Sequence, residues 1–74
     1  SMEYQVNFTQ QGNTLVSDDA RFCIERWRDH RGTTYVAWCT QSDWDLAWAH
    51  IANCDSAETA KLAVKLAKLY GGTE

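Results

Sequence analysis

Three cysteines and two histidines are the residues whose types could carry out chemistry in this sequence. A cysteine becomes a nucleophile when a histidine lies within hydrogen-bond reach of its sulfur. The candidate pairs are Cys39 with His50 and Cys23 with His30. Zinc usually takes closely spaced ligand pairs, whereas Cys23, Cys39 and Cys54 contain no CxxC. The spacing favours neither chemistry, so we expect reduced, mostly buried thiols that bind no metal.

Motifs of known enzyme classes provide no further candidates. The sequence contains none of the short strings typical of phosphate-binding loops, dinucleotide-binding folds, zinc proteases or serine hydrolases. Asp43 and Asp45 are closely spaced carboxylates, but solvated loop residues are commoner than an acid and base pair or a metal site. We therefore expect no catalytic residues, no cofactor and no enzymatic activity.

Aromatic residues distinguish this chain more than reactive ones do. Its four tryptophans, Trp27, Trp38, Trp44 and Trp48, lie between positions 27 and 48 of a chain of only 74 residues. So short a chain builds one small core, and tryptophan is difficult to bury completely. Either the core is unusually aromatic or some of these rings bind a partner.

Composition indicates one small folded domain spanning residues 1–74. Hydrophobic residues make up 45% of the chain and charged residues 23%, as in ordinary globular proteins rather than disordered ones. The net charge of −3 disfavours long-range attraction to nucleic acid or anionic lipid. No apolar run approaches the roughly 20 residues of a membrane span, and no signal sequence is recognisable, so we expect a cytoplasmic protein.

The N-terminal region has the pattern of a strand followed by a turn. Apolar and polar residues alternate over 4–8, which is typical of a half-buried strand. The segment 10–14 contains Gly12 and Asn13 and predicts a turn. A short return strand or a docking segment would follow at 15–16.

The segment 20–40 allows two interpretations. As a hairpin, its two strands are joined by the three-residue loop 30–32, with Gly32 in the left-handed position. As a helix, it would begin at the cap Ser17 and end at Gly32. Helical spacing leaves Phe22 on the solvent side, so the hairpin is favoured.

The three-residue loop sets the expected strand register. It pairs Trp27 with Tyr35 and Cys23 with Cys39, which would allow air to oxidise the two cysteines to a disulfide. One face would then carry Phe22, Ile24, Val36 and Trp38, and the other Cys23, Trp27, Tyr35, Ala37 and Cys39.

The rest of the chain predicts one more strand and a helix. The segment 44–54 fits a third meander strand, although helical spacing is also possible there. Asp55 and Glu58 have capping-box spacing before a helix over 56–70, and Gly71 is a stop signal. The expected packing stripe of this helix consists of Leu62, Leu66, Leu69, Ala63 and Tyr70.

These elements predict an α+β fold, in which an antiparallel meander of three to four strands has the C-terminal helix packed on one face. One helix covers one face, and Trp38 is expected in the core beneath it. The opposite face would expose Trp27, Tyr35, Ala37, Ala47, Ala49 and Ile51. So apolar a patch usually marks an interface, and the N-terminal segment, a second copy or another protein could cover it.

The sequence therefore favours a protein–protein interaction module whose partner is another protein or a second copy of the chain. Tryptophan, tyrosine and arginine are typical of interface hot spots. The candidate interaction surface consists of Trp27, Tyr35, Arg26, Arg28, Asp43 and Asp45. Small acidic domains without catalytic motifs are often accessory or inhibitor proteins of phages and mobile elements, anti-CRISPR-like proteins included, which is an expectation from base rates alone.

Two alternative functions remain open. Single-stranded nucleic acid could stack on Trp27 and Tyr35 while Arg26 and Arg28 bind its phosphates, although the negative net charge opposes this. A structural homodimer without a further partner is the other alternative. We expect no membrane association.

Overall fold

An antiparallel sheet with one helix on one face forms the described part of the chain, residues 5–40 and 47–71 of a computed structural model. The elements are β1 (Phe8–Gln11), β2 (Thr14–Ser17), β3 (Phe22–Asp29), β4 (Gly32–Thr40), β5 (Trp48–Cys54) and α1 (Ala57–Tyr70). The strands pair in chain order as one meander. The predicted α+β class is confirmed, with five described strands instead of three to four.

The first hairpin is shifted towards the C-terminus relative to the expected strand over 4–8. β1 begins only at Phe8, and Tyr4 lies outside the described residues. Gln11 pairs with Thr14 across a two-residue turn in which Gly12 has φ of 65°. A left-handed first turn residue matches the twist of the two strands, and glycine adopts it without steric cost.

Side-chain hydrogen bonds shape the turn between β2 and β3. The Ser17 hydroxyl donates to Asp19 Oδ1 at 2.7 Å and accepts from the Phe22 N–H at 3.0 Å. The Arg21 N–H also donates to Asp19 Oδ1, at 3.0 Å. Desolvation raises the pKa of Asp19, but these bonds and the nearby positive charges outweigh it, so the pKa lies below its ordinary value.

The hairpin of β3 and β4 is confirmed, but its loop is one residue shorter than expected. Asp29 pairs with Gly32, so only His30 and Arg31 lie between the strands. The Arg31 N–H donates to Asp29 Oδ1 at 2.8 Å, and Gly32 has φ of 129°, which L side chains rarely adopt. Glycine therefore ends the turn as the first residue of β4 and not as the last residue of the loop.

This shift makes the predicted register wrong and exchanges the two faces of β4. Trp27 pairs with Thr34, and Tyr35 pairs with Arg26. Since side chains alternate along a strand, a slip of one residue moves each of them to the opposite face. The expected contact between Cys23 and Cys39 is also wrong, because their partners are Trp38 and Phe22 respectively and the two thiols lie on opposite faces.

The helix α1 begins and ends near the predicted bounds but uses a different cap. Ser56 is the N-cap, and its side chain accepts from the Thr59 N–H at 3.1 Å, so the predicted cap at Asp55 is wrong. Gly71 is left-handed and donates its N–H to the Ala67 carbonyl, which confirms the predicted stop. In the described residues, no helix has both the length and the apolar character that crossing a bilayer requires.

Small side chains fill the space between α1 and the sheet. Ala60 and Val64 have no exposed surface and pack with Ile24, Ala37 and Cys54 in one core cluster. Val6, Phe8 and Leu15 pack around this cluster from the N-terminal side. Short alanine and valine side chains therefore form the helix side of this contact.

The expected packing stripe of α1 is therefore wrong for most of its members. Leu62 is 53% exposed, Leu66 45% and Tyr70 75%, whereas Ala63 does pack against the core cluster. The helix is rotated so that its alanine and valine face meets the sheet. Leu62 and Leu66 form an exposed leucine stripe on the side away from it, and Leu69 is half-buried.

We predict that Val64→Ala destabilises the protein far more than Leu66→Ala does. Val64→Ala removes buried contacts and leaves a cavity, which typically lowers the free energy of unfolding by about 2 kcal/mol. Leu66 is exposed, so Leu66→Ala should change the free energy of unfolding by less than about 0.5 kcal/mol. Urea denaturation followed by circular dichroism measures both. Equal losses for the two variants would mean that the leucine stripe faces the sheet.

Candidate interaction surface on the open face of the sheet

The face of the sheet opposite α1, called the open face below, carries the larger aromatic side chains. Alternation and strand pairing place on it Thr14, Val16, Cys23, Glu25, Trp27, Thr34, Val36, Trp38, Thr40, Trp48, His50 and Asn53. The described N-terminal segment does not cover this face, because Val6 and Phe8 pack on the helix side. A second copy and another protein are the two covers from outside the chain that the sequence allowed.

Three tryptophans form a diagonal row across β3, β4 and β5. Trp27 lies opposite Thr34, Trp38 is four positions further along β4, and Trp48 lies opposite Thr40. At about 3.4 Å per residue the row extends roughly 20 Å along the strands. Trp27 is 56% exposed and Trp48 48%, while Trp38 between them is half-buried.

Glu25 connects two of these rings. Its Oε1 accepts a hydrogen bond from Trp38 Nε1 at 2.9 Å and another from Trp27 Nε1 at 3.2 Å. Trp27 follows two positions after Glu25 on β3, and Trp38 reaches the same oxygen from β4. The carboxylate thus holds both indole edges in fixed orientations and leaves their ring faces available for contact.

A bulge in β5 places His50 against Trp38. Ala52 lies opposite Ala37 and His50 lies opposite Trp38, so Ile51 is the extra residue. The rings of His50 and Trp38 meet edge to face, with centroids 5.5 Å apart and an angle of 78°. His50 Nε2 is also 2.8 Å from Asn53 Oδ1. Trp38 is therefore supported from both neighbouring strands.

Two grooves flank the ridge that Trp38 forms. The first, the Trp27–Trp38 groove, has a volume of about 400 Å³ and is lined by Trp27, Arg28, Asp29, Thr34, Val36, Trp38, His50 and Asn53. The second, the Trp38–Trp48 groove, has about 380 Å³ and is lined by Thr14, Val16, Cys23, Glu25, Trp38 and Trp48. Glu25 is the only charged residue that lines the second groove in the described part of the chain.

The residues predicted as the interaction surface are not all brought together. Trp27 lies on the open face and Arg28 lines the groove beside it. Tyr35 and Arg26 instead line a smaller cavity of about 170 Å³ on the helix side, where Arg26 Nη2 donates to Asn13 Oδ1 at 2.8 Å. Asp43 and Asp45, like Trp44, lie outside the described residues.

The prediction also missed three residues of this surface. Trp38 was expected beneath the helix and lies on the open face, where it is joined by Trp48 and Glu25. The signal that could have found Trp38 is the alternative two-residue loop at His30 and Arg31, whereas Glu25 shares the face of Trp27 by alternation along β3. With that loop, strict alternation alone places Trp38 on the same face as Trp27.

The predicted burial of the cysteines is confirmed for all three. Desolvation, together with the charge of Glu25, raises the pKa of Cys23 to about 11. Cys39 faces α1 whereas His50 lies on the open face, so these two do not form a nucleophilic pair. Within the described residues, no three potential metal ligands among the histidines, cysteines and acids cluster together.

No protein-family model matches the chain, and neither a curated protein nor a solved structure matches it. Function is therefore inferred from the open face itself.

We predict that alkylation of Cys23 by iodoacetamide has its midpoint near pH 11 and that Glu25→Gln moves this midpoint down, because the glutamate charge disfavours the thiolate. Mass spectrometry after trypsin digestion measures the rate for Cys23 alone, since Arg26, Arg28 and Arg31 separate it from the other cysteines. A midpoint near 9, the ordinary value for a thiol, would show that Cys23 is not buried beside Glu25.

Proposed function

We propose that this protein is a non-enzymatic domain that binds another protein through the open face of its sheet. The observation that carries the proposal is the row of Trp27, Trp38 and Trp48. Trp27 and Trp48 are exposed, and Trp38 forms the ridge between the two grooves. Large apolar side chains at a surface cost solvation free energy, and an interface recovers it.

The fixed orientation of the indole rings favours a binding role. Glu25 holds Trp27 and Trp38 by hydrogen bonds, and His50 packs against Trp38 from the other side. Ordering a side chain on binding typically costs about 0.5–1.5 kcal/mol. Since these rings are already ordered in the free domain, that cost is reduced.

The leucine stripe of α1 is a weaker candidate for the docking surface. It is convex, and it consists of the exposed side chains Leu62 and Leu66 on a single helix. The open face instead has grooves and polar atoms of Glu25, His50 and Asn53 that could orient a partner. Specific recognition generally combines apolar concave surface with a few such polar groups.

The geometry removes the main support for binding single-stranded nucleic acid. That alternative needed Trp27 and Tyr35 on one face, with Arg26 beside them, but Tyr35 and Arg26 lie on the helix side. The centre of the open face carries the carboxylate of Glu25, which repels phosphate.

A photo-cross-linking experiment in cells that naturally contain the protein tests the proposal. Benzoylphenylalanine replaces Thr34 on the open face or, as a matched control, Lys65 on the exposed side of α1. We expect a discrete cross-linked protein from position 34 only. The identified partner is then purified and its affinity measured by calorimetry.

In that measurement, Trp27→Ala and Trp48→Ala should each weaken binding by about 2 kcal/mol or more, the usual loss for an interface anchor. Both variants should keep their fold because about half of each ring is already exposed in the free domain. Leu66→Ala is the control and should leave affinity unchanged. Affinity that is insensitive to both tryptophans, or cross-linking from position 65 alone, would reject the open face as the docking surface.

A further inference from the structure

Glu25 is the feature of the open face that restricts what its partner can be. The carboxylate is half-buried, and its hydrogen bonds come from the neutral N–H groups of Trp27 and Trp38. In the described part of the chain, no cation forms an ion pair with it. The negative charge therefore remains in the lining of the Trp38–Trp48 groove without a countercharge from these residues.

A partner that fills this groove must compensate that charge. Covering the groove removes water from the carboxylate, and burying an unpaired charge is strongly unfavourable. The two indole N–H groups supply only part of what water supplied. A purely apolar occupant is therefore disfavoured, and an anionic one more strongly.

The remaining lining of the groove is suited to an aliphatic chain. Val16 and Cys23 lie on neighbouring strands in direct register and form the floor, while Trp38 and Trp48 form the aromatic wall. A long cationic side chain buries its methylene groups along such a surface and keeps its charged end at a carboxylate. Both requirements of the groove are met by one side chain.

Resting on the proposed function, we propose that the partner protein inserts an arginine side chain into the Trp38–Trp48 groove, where its guanidinium pairs with Glu25. Guanidinium is planar, stacks on tryptophan faces and presents several donors to a carboxylate. Ammonium lacks this planarity and is more strongly hydrated, so arginine fits the aromatic wall better than lysine. The net charge of −3 further favours a basic partner surface.

The test uses a capped Ala-Arg-Ala peptide as the probe and the ¹⁵N-labelled protein. The indole N–H resonances of Trp27 and Trp38 report on the groove, because both groups donate to Glu25. The matched probe replaces arginine with citrulline, which has the same shape without the charge. Glu25→Gln removes the charge but keeps an acceptor for the indoles, and Glu58→Gln removes an exposed charge on α1 as the control.

We expect the arginine peptide to shift the Trp38 indole resonance saturably, and the citrulline peptide to bind at least about tenfold more weakly. Glu25→Gln should weaken the arginine peptide by a similar factor, and Glu58→Gln should not. Equal binding of the two peptides, or equal effects of the two variants, would overturn the proposal. So would sedimentation that shows a wild-type dimer dissociated by Glu25→Gln, since the groove would then belong to a second copy.

This test is independent of the cross-linking experiment. Failure of the arginine peptide, with tryptophan-dependent protein binding intact, rejects the arginine and leaves the docking surface. If protein binding does not depend on the tryptophans, the docking surface itself is rejected.

Discussion

The pairing of Asp29 with Gly32 is the constraint on which the rest of the structure depends. It limits the turn between β3 and β4 to His30 and Arg31, and it thereby fixes which side of the sheet each residue of the longest hairpin faces. The left-handed Gly32 and the bond from the Arg31 N–H to Asp29 stabilise this turn locally. One loop residue more would have exchanged Ala37 and Trp38 between the core and the surface.

That register places the small Ala37 on the helix side and the large Trp38 on the open face. Ala37 is fully buried in the same cluster as Ala60 and Val64, so small side chains line the contact between α1 and the sheet. The tryptophans of β3, β4 and β5 lie on the other face, whereas the rings of Phe22 and Tyr35 pack beside the core cluster. A chain of 74 residues gains little stability from so small a core, and the aromatic face represents apolar surface that folding alone does not bury.

Glu25 gives this apolar surface its order. A carboxylate that accepts bonds from two indoles restrains rings that would otherwise sample several rotamers at a half-exposed position. Desolvation raises the pKa of neighbouring Cys23 most, and the same charge adds to this effect. The order of the two indole rings and part of the raised pKa of Cys23 thus originate in one side chain.

The sequence by itself determined the kinds of element and most of their places. Alternation predicts the strands around Phe22 and Trp38, the turn residues predict the hairpin, and the uninterrupted run before Gly71 predicts α1, because these signals depend on neighbouring residues alone. The burial of the three cysteines also follows from their chemical character. Within the candidate surface, Trp27 was predictable because the aromatic crowding already made it conspicuous.

Only the tertiary structure decided the faces. Both the two-residue and the three-residue loop are compatible with His30-Arg31-Gly32, and β3 and β4 carry apolar residues on both sides, so the pattern does not choose between them. The rotation of α1 is undetermined for the same reason, since its alanines and leucines together form an apolar arc wider than one contact needs. Close packing of Val64 and Ala60 with Ala37 selects one combination, because there small side chains of the helix meet a small side chain of the sheet.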